Sequence, residues 1–461
     1  MKHLHFVGIG GARLSGLAKL YLDRGYLISG SDWQESKVTR NLAQRNIKIY
    51  HGHNPANIQG ADQVVYTNAV GTENPEVLEA RRLGIPVIEG AELLGKLMSE
   101  VGKGIAIAGT HGKTTTSAMT SLILTEGGID PTVLIGGEVV PFQGNHRSGK
   151  SEYMVVEACE FKRSFLKLRP YIELITNIDW DHPDCFPTIS DVIRTFEDFV
   201  DLLPADGVLF VWGDDPNAYQ LRNRFSGRFI SFGYQEHFDW QLQDIKPIPP
   251  LGIGARLIYK GKAQGELALR VPGRHNLQNA LGAIAVALEV GVNLGSALKT
   301  LAEFSGVQRR FEIKGSYKGA LIVDDYAHHP GAIRTTLAAA RQFFKGRIWC
   351  VFQPHLFSRT KFLLPEFAQS FGNADILVLA DIYPAREVDP GDISSQDLAT
   401  AAAGRHQDVR YLGGFERICE HLRRNILPGD LIITMGAGDI WKVAERLVLE
   451  EPKDAKLEIG S

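Results

Sequence analysis

The sequence predicts an α/β protein of three domains, each built around a mostly parallel sheet. Three observations carry that prediction. The chain has 461 residues, against roughly 150 for one domain. Short apolar runs rich in Val, Ile and Leu alternate with helical segments along nearly the whole length, which is the βαβ rhythm. Glycine turns follow many of these runs. The 48 glycines are about a tenth of the chain, above the usual ~7%, and turns at strand ends are where phosphates bind.

The first unit, residues 1–100, opens with an apolar strand at His3–Ile9, a glycine turn and a helix. Strands at Tyr26–Ser29, Gln63–Tyr66 and Pro86–Ile88 follow, with a helix at Asn74–Leu83. The second unit, 101–307, begins with a buried strand at Gly104–Ala108 and a helix. Further strands are expected at Val133–Ile135, Tyr153–Glu157, Leu174–Asn177 and Val208–Val211, with a helix at Ile189–Leu202. Gly233–Leu269 reads as a β-extension with proline turns, and His275–Val290 as an apolar, Ala-rich helix. Ser305–Phe311 reads as a hinge. The third unit, 308–461, repeats the pattern. Its strands are Leu321–Asp325, Arg347–Phe352, Ile376–Leu379 and Leu431–Thr434, and its helices Gly331–Arg341, Leu364–Phe371 and Phe415–Asn425. The polar residues 450–461 are expected to fray.

Composition removes several function classes. An apolar content of 44% supports sizeable cores. Lys plus Arg is 50 and Asp plus Glu 53, a net charge of −3, which disfavours a nucleic-acid binder. No run is long enough to span a bilayer, and the N-terminus lacks the apolar core of a secretion signal. Cys159, Cys185, Cys350 and Cys419 form no zinc or disulfide pattern, which fits a reducing cytoplasm.

Several motifs carry chemistry. Gly8-Ile9-Gly10-Gly11-Ala12-Arg13 lies between strand and helix, with Asp32 at the end of the second strand. Such a loop lets a pyrophosphate approach the backbone at a helix N-terminus. Alone it fits a nicotinamide cofactor as well as any other nucleotide. The stretch Gly109-Thr110-His111-Gly112-Lys113-Thr114-Thr115-Thr116 is more specific. Its amides can cradle phosphate oxygens, Lys113 can neutralise β/γ charge, and Thr114 can ligate Mg2+. It has no place in a dehydrogenase. Glu157 and Glu160 end one strand, and Asn177, Asp179, Asp181 and His182 follow another, where a Mg·ATP site needs hard oxygen ligands. Asp179 and Asp181 fit turn caps equally well. Asn276 fits an N-cap, and Asn279 an amide that reads an adenine edge. Arg309, Arg310, Asp324, Asp325, Tyr326, His328, His329, His355 and Arg359 gather at strand ends of the third unit and suit a carboxylate or phosphate ligand.

GTHGKTTT, EACE, NIDWDHPD, GRHNLQN, GVQRRFE, VDDYAHHP, FQPHLFSR and TMGAGDIWK occur in one order. Together they resemble the Mur ligase family over nearly the whole chain, and within it the alanine-adding branch more than the murein-tripeptide recycling branch. The resemblance implies a Rossmann-like N-terminal domain, a central P-loop-type ATPase domain and a C-terminal Rossmann-like domain. It implies an ATP-dependent, cytoplasmic ligase that joins L-alanine to the lactyl carboxylate of UDP-N-acetylmuramate through an acyl phosphate, acting as a monomer or homodimer. Gly8, Gly10, Gly11, Ser31, Asp32, Thr67 and Asn68 would then hold the UDP-sugar. Gly109, Thr110, His111, Gly112, Lys113, Thr114, Thr115, Asn279, Arg310 and Asp325 would hold ATP. Tyr326, His328, His355 and Arg359 would hold the amino acid. Thr114, Glu157 and His182 would bind Mg2+, two ions in all, and Lys113 and His182 would act in catalysis. The chain departs from the family pattern at Arg13, Cys159 and Leu356. Arg13 is expected to lie outward and reach a UDP phosphate.

Overall fold

The computed structural model describes residues 2–182, 185–385 and 387–450. All but the first residue of the polar tail at 450–461 lies outside them. Three sheets organise the chain.

The first sheet has five strands, in the order Lys48–His51, Leu27–Asp32, His3–Val7, Gln63–Tyr66 and Val87–Glu89. All its pairings are parallel. This order puts the ends of His3–Val7 and Leu27–Asp32 side by side, so the glycine loop and Asp32 meet at one rim.

The second sheet has ten strands. Its centre is parallel, in the order Arg228–Gly233, Val208–Trp212, Pro170–Ile175, Lys103–Ala108, Tyr153–Glu157 and Thr132–Val139. One end carries the antiparallel run Trp240–Ile248, Gly252–Tyr259 and Lys262–Leu269, the expected β-extension. The other end is closed by Gly144–Arg147. Helices Lys113–Glu126 and Arg274–Val290 pack together over this sheet. Fully buried Ala280, Ala283 and Ala287 let the two approach closely.

The third sheet has six strands, in the order Glu312–Tyr317, Ala320–Asp325, Leu431–Met435, Ile348–Phe352, Ile376–Ala380 and Val409–Gly413. Only the first pairing is antiparallel. Among the described residues, no helix is long and apolar enough to cross a membrane.

Several elements differ from the sequence reading. Strands Lys48–His51, Arg228–Gly233, Glu312–Tyr317 and Val409–Gly413 lie outside it; their polar residues hide the period. The strand expected at Leu174–Asn177 runs Pro170–Ile175, and Thr176 and Asn177 leave it to bond the phosphate loop. The helix expected at Leu364–Phe371 ends at Ala368. Helix Arg274–Val290 opens at Gly273, so Asn276 is not its cap. Asn276 sits inside the first turn, where its amide donates to the Pro272 carbonyl at 2.7 Å.

A buried polar cluster fixes the first sheet against its neighbours. Glu76, fully buried, accepts from Ser31 Oγ at 2.5 Å, Asn57 Nδ2 at 2.6 Å, the Asn54 amide at 3.1 Å and His5 Nε2 at 3.3 Å. Burial alone would raise its pKa, but the hydrogen bonds from His5, Ser31 and Asn57 outweigh burial and hold the carboxyl below the usual glutamate value. A depressed folded-state pKa contributes stability above the unfolded value, about 4.3, and that stability is lost as pH falls through the folded value. Glu76→Gln should therefore destabilise the protein near pH 6. The gap to wild type should shrink as pH drops below about 4.3, read from urea midpoints between pH 6 and pH 3.

Candidate active site

The phosphate loop leaves strand Lys103–Ala108 at Gly109 and enters helix Lys113–Glu126 at Gly112. Both glycines have positive φ, 135° and 84°. At Gly112 a Cβ would also lie 2.5 Å from Asn279 Oδ1, so the turn needs glycine. The segment after the neighbouring strand braces the loop. The Thr110 amide donates to the Asn177 carbonyl at 3.0 Å, and the His111 amide to Asn177 Oδ1 at 2.8 Å. Thr176 Oγ1 donates to the His111 carbonyl at 2.6 Å. The loop amides therefore start a helix whose N-terminus suits an anion.

Lys113 is the charge at the loop's centre. Its Nζ donates to the carbonyls of Gly109 and Thr110 and to Glu160 Oε2 at 2.9 Å. Glu160 is 2% exposed. Burial would lower the Lys113 pKa, but Glu160 outweighs burial and holds it above the ordinary value, so the ammonium persists. Thr114 and Thr115 are buried in the first helical turn. Asn279 lies behind the loop, where its Oδ1 accepts from Thr116 at 3.1 Å.

Glu157 accepts from the Gly136 amide at 2.8 Å. A Cβ at Gly136 would lie 2.8 Å from either Glu157 oxygen, and one at Gly137 would lie 2.8 Å from Thr114. The glycine pair lets the Glu157 carboxylate and the Thr114 methyl pack close to this strand, and the Glu157 carboxylate and Thr114 hydroxyl are hard oxygen donors of the kind that suits Mg2+. His182 stands on the other side, its ring 4.8 Å from Phe161 and its Nδ1 buried without a partner. Burial lowers the His182 pKa, partly offset by Asp181, so the ring is neutral at pH 7. His111, Asp179 and His329 form a further group whose ligand atoms lie within 4.8 Å of one another.

Arg13 does not lie outward. Its Nη1 reaches Ser164 Oγ at 3.5 Å, across to the central domain. It faces Cys159, Glu157 and Glu160 there, and these acidic neighbours draw the cation inward. In the glycine loop, the Gly8 amide donates to the Ser31 carbonyl and the Gly10 amide to Asp32 Oδ2, both at 2.8 Å. Gly11 is exposed at the helix start. Thr67 packs against Gly8, and Asn68 donates to Glu89 at 2.5 Å. The Ser31 hydroxyl is turned to buried Glu76, away from the loop surface.

The third domain faces this crevice. Arg310 Nη2 is 3.4 Å from Thr114 Oγ1, and its guanidinium lies 5.1 Å from the Tyr326 ring. Arg309 is anchored elsewhere, on Asp324 at 3.0 Å and the carbonyls of Gly436 and Gly438. Asp325 accepts from the amides of Phe311 at 2.7 Å and Ala327 at 2.8 Å. Burial raises its pKa, partly offset by Arg310. His328 Nδ1 donates to the Tyr326 carbonyl at 2.9 Å, and its ring is 5.9 Å from His355, which stacks on Tyr383. Arg359 Nη2 donates to Asp181 Oδ1 at 3.0 Å, and Nη1 lies 3.4 Å from His355. Leu356 is 3% exposed and contributes packing alone. The structure thus brings Lys113, Thr114, Glu157, His182, Arg310 and Arg359 around one crevice. Asp181 and His329 also belong to it; the sequence reading offered both as candidates by position, but the residues carried over from the resemblance did not include them. Their position directly after strand ends was the available signal.

A phosphate loop at the end of an interior strand, faced by a third α/β domain, fits an ATP-dependent ligase. Three family profiles match in order: Mur ligase family, catalytic domain, over 3–101; Mur ligase middle domain, over 107–287; and Mur ligase, glutamate ligase domain, over 309–438. The chain belongs to the Mur ligase family. It is 44% identical to the UDP-N-acetylmuramate–L-alanine ligase of Caldanaerobacter subterraneus, with 98% of each chain covered. The enzyme of that name from Acetivibrio thermocellus is also 44% identical, over 98% of this chain and 96% of the relative. Among solved structures it is similar to the UDP-N-acetylmuramate-alanine ligase of Thermotoga maritima. The TM-score is 0.84 at 27% identity, covering 97% of this chain and 99% of that one. A murein peptide ligase from Psychrobacter arcticus gives 0.74 at 25% identity, covering 99% and 100%.

Proposed function

We propose that the chain is a cytoplasmic ligase that uses ATP to join L-alanine to the lactyl carboxylate of UDP-N-acetylmuramate, releasing ADP and phosphate for peptidoglycan precursor synthesis. The observation that carries this reading is the meeting of Lys113, Glu157 and Thr114 with Arg310 from the third domain. Full-length similarity to enzymes named for this reaction supports the substrates.

The first step brings a carboxylate against the γ-phosphate of ATP, and the two anions repel. Lys113 at the loop and Arg310 across from it reduce that repulsion and stabilise charge on the transferring group. Thr114 and Glu157 would hold one Mg2+ and His182 would stand beside a second; bound there, the metal supplies further charge neutralisation. The acyl phosphate that forms is open to water, and the third domain over the crevice protects it. The alanine amine then attacks the acyl carbon, and the tetrahedral intermediate expels phosphate. The amine must be neutral when it attacks, and His182, whose buried ring has a lowered pKa, is the base we assign to take its proton. Gly8, Gly10, Gly11, Asp32, Thr67 and Asn68 form the UDP-sugar rim, with Ser31 supporting it from below. Asn279 and Asp325 border the adenosine side of ATP. Tyr326, His328, His355 and Arg359 receive the amino acid.

Phosphate release in the presence of ATP, Mg2+ and UDP-N-acetylmuramate should be fastest with L-alanine among L-alanine, glycine, L-serine and the murein tripeptide. Preference for the tripeptide would make the chain a recycling ligase. Lys113→Ala should stay folded and lose at least 100-fold in turnover, because one preorganised electrostatic contact contributes ~3–4 kcal/mol. A folded variant with more than about a tenth of wild-type turnover contradicts the ATP site. Glu157→Gln keeps the size but loses the ligand charge, so its Mg2+ activation curve should shift to higher concentration; curves that overlay rule out that role.

A further inference from the structure

One buried ion pair joins the central and third domains inside the crevice. Asp181 follows strand Pro170–Ile175, and Arg359 sits in the short helix Phe357–Phe362. They meet at 3.0 Å, with Asp181 8% and Arg359 4% exposed. The pair leaves polar groups without partners around it: Arg359 Nε, His182 Nδ1 and His329 Nε2 are all buried and unbonded. Buried donors are normally satisfied, and each orphan costs free energy. A structure that keeps three orphans beside a buried ion pair is built to receive a polar guest.

The chemistry of the pair identifies the guest. Removing one partner of a buried ion pair strands the other charge, which is strongly unfavourable. A guest carrying one charge would do that. An α-amino acid zwitterion would not, because it brings both signs one carbon apart. Its carboxylate can replace Asp181 on the guanidinium and also use the unbonded Nε, the bidentate geometry that arginine favours. Its ammonium group can replace Arg359 on Asp181. Every buried charge keeps a counter-charge through the exchange.

We propose that the Asp181–Arg359 pair is the receptor for both charges of the amino-acid substrate, with Arg359 taking the carboxylate and Asp181 the ammonium group. This rests on the ligase reading above and adds Asp181 to it as a binding residue that sets specificity. The site accepts zwitterions and rejects singly charged analogues. It also places the amine next to His182, beside the crevice where the acyl phosphate forms. The guest bridges the two domains that the ion pair bridges in its absence.

The test uses the full-length enzyme with Asp181→Asn and two competitors of L-alanine: L-lactate, which lacks the ammonium group, and L-alaninamide, which lacks the carboxylate. In wild type both should need at least thirty times the L-alanine concentration to occupy the site. In D181N the KM for L-alanine should rise at least thirtyfold, while L-lactate, which no longer strands a charge at position 181, should inhibit at least tenfold more tightly. The KM values for ATP and UDP-N-acetylmuramate should stay within threefold. A merely structural Asp181 would weaken L-alanine and L-lactate together, and that result overturns the proposal. If D181N does not fold, the wild-type panel decides: L-lactate competing as well as L-alanine overturns it. A wild-type enzyme without ADP formation dependent on UDP-N-acetylmuramate and an amino acid refutes the ligase reading instead.

Discussion

The contact on which the rest of the site depends is the Lys113–Glu160 ion pair. An ammonium at the centre of a phosphate loop is in place before any phosphate arrives, and a buried cation without a counter-charge would lose its proton or destabilise the fold. Glu160 supplies that counter-charge at 2.9 Å from a position 2% exposed. The lysine stays charged and stays in the loop. Glu160 lies in the segment between Glu157 and Ser164, directly beside the loop. The same segment carries the oxygen donor beside Thr114 and the contact to the first domain. The Lys113–Glu160 pair thus adjoins both Glu157 and the residue, Ser164, that Arg13 reaches.

Three arginine side chains that cross between domains end near this centre. Arg13 runs from the first domain to Ser164. Arg310 runs from the hinge to Thr114, and Arg359 from the third domain to Asp181. A crevice that must accept ATP, a carboxylate and a transferring phosphoryl group needs excess positive charge, yet too much would hold the domains apart in its absence. The solution is to bring cations in on separate domains and pair each with central-domain oxygens until substrates arrive. Domain approach and charge accumulation are then one process.

The sequence made the architecture legible because strand ends carry its chemistry. GTHGKTTT, Glu157, Asp181, Asp325 and His355 each follow an apolar run, and a parallel sheet must gather such ends on one side. What stayed hidden was contact across sequence distance. Nothing local shows that Ser31 turns to Glu76, 45 positions away, or that Asn279, read as an adenine contact, accepts a hydrogen bond from Thr116 behind the loop, 163 positions away. Polar strands such as Lys48–His51 were hidden for a different reason: they lie at sheet edges, where one face meets water and the apolar run is broken. The side-chain directions of Arg13 and Ser31 depended on neighbours from other segments, and a single-position reading could not supply those.

Arg13 shows how the departures from the family pattern fit together. A large cation at the third loop position would crowd an anion if it stayed over the helix N-terminus. It avoids that by reaching across to a segment that offers Glu157, Glu160 and the Cys159 side chain. Cys159 stands where the family often has an aspartate. A third carboxylate between Glu157 and Glu160 would repel both of them and bind Arg13 firmly. A thiol at that position leaves the two glutamates to Lys113 and to the Gly136 amide, and Arg13 is held by Ser164 Oγ at 3.5 Å together with the Cys159 side chain. The guanidinium thus adds positive charge close to the centre. The two departures act in the same direction: the added cation at 13 and the absence of a carboxylate at 159 both make this rim more positive, and the Lys113–Glu160 pair keeps its 2.9 Å contact.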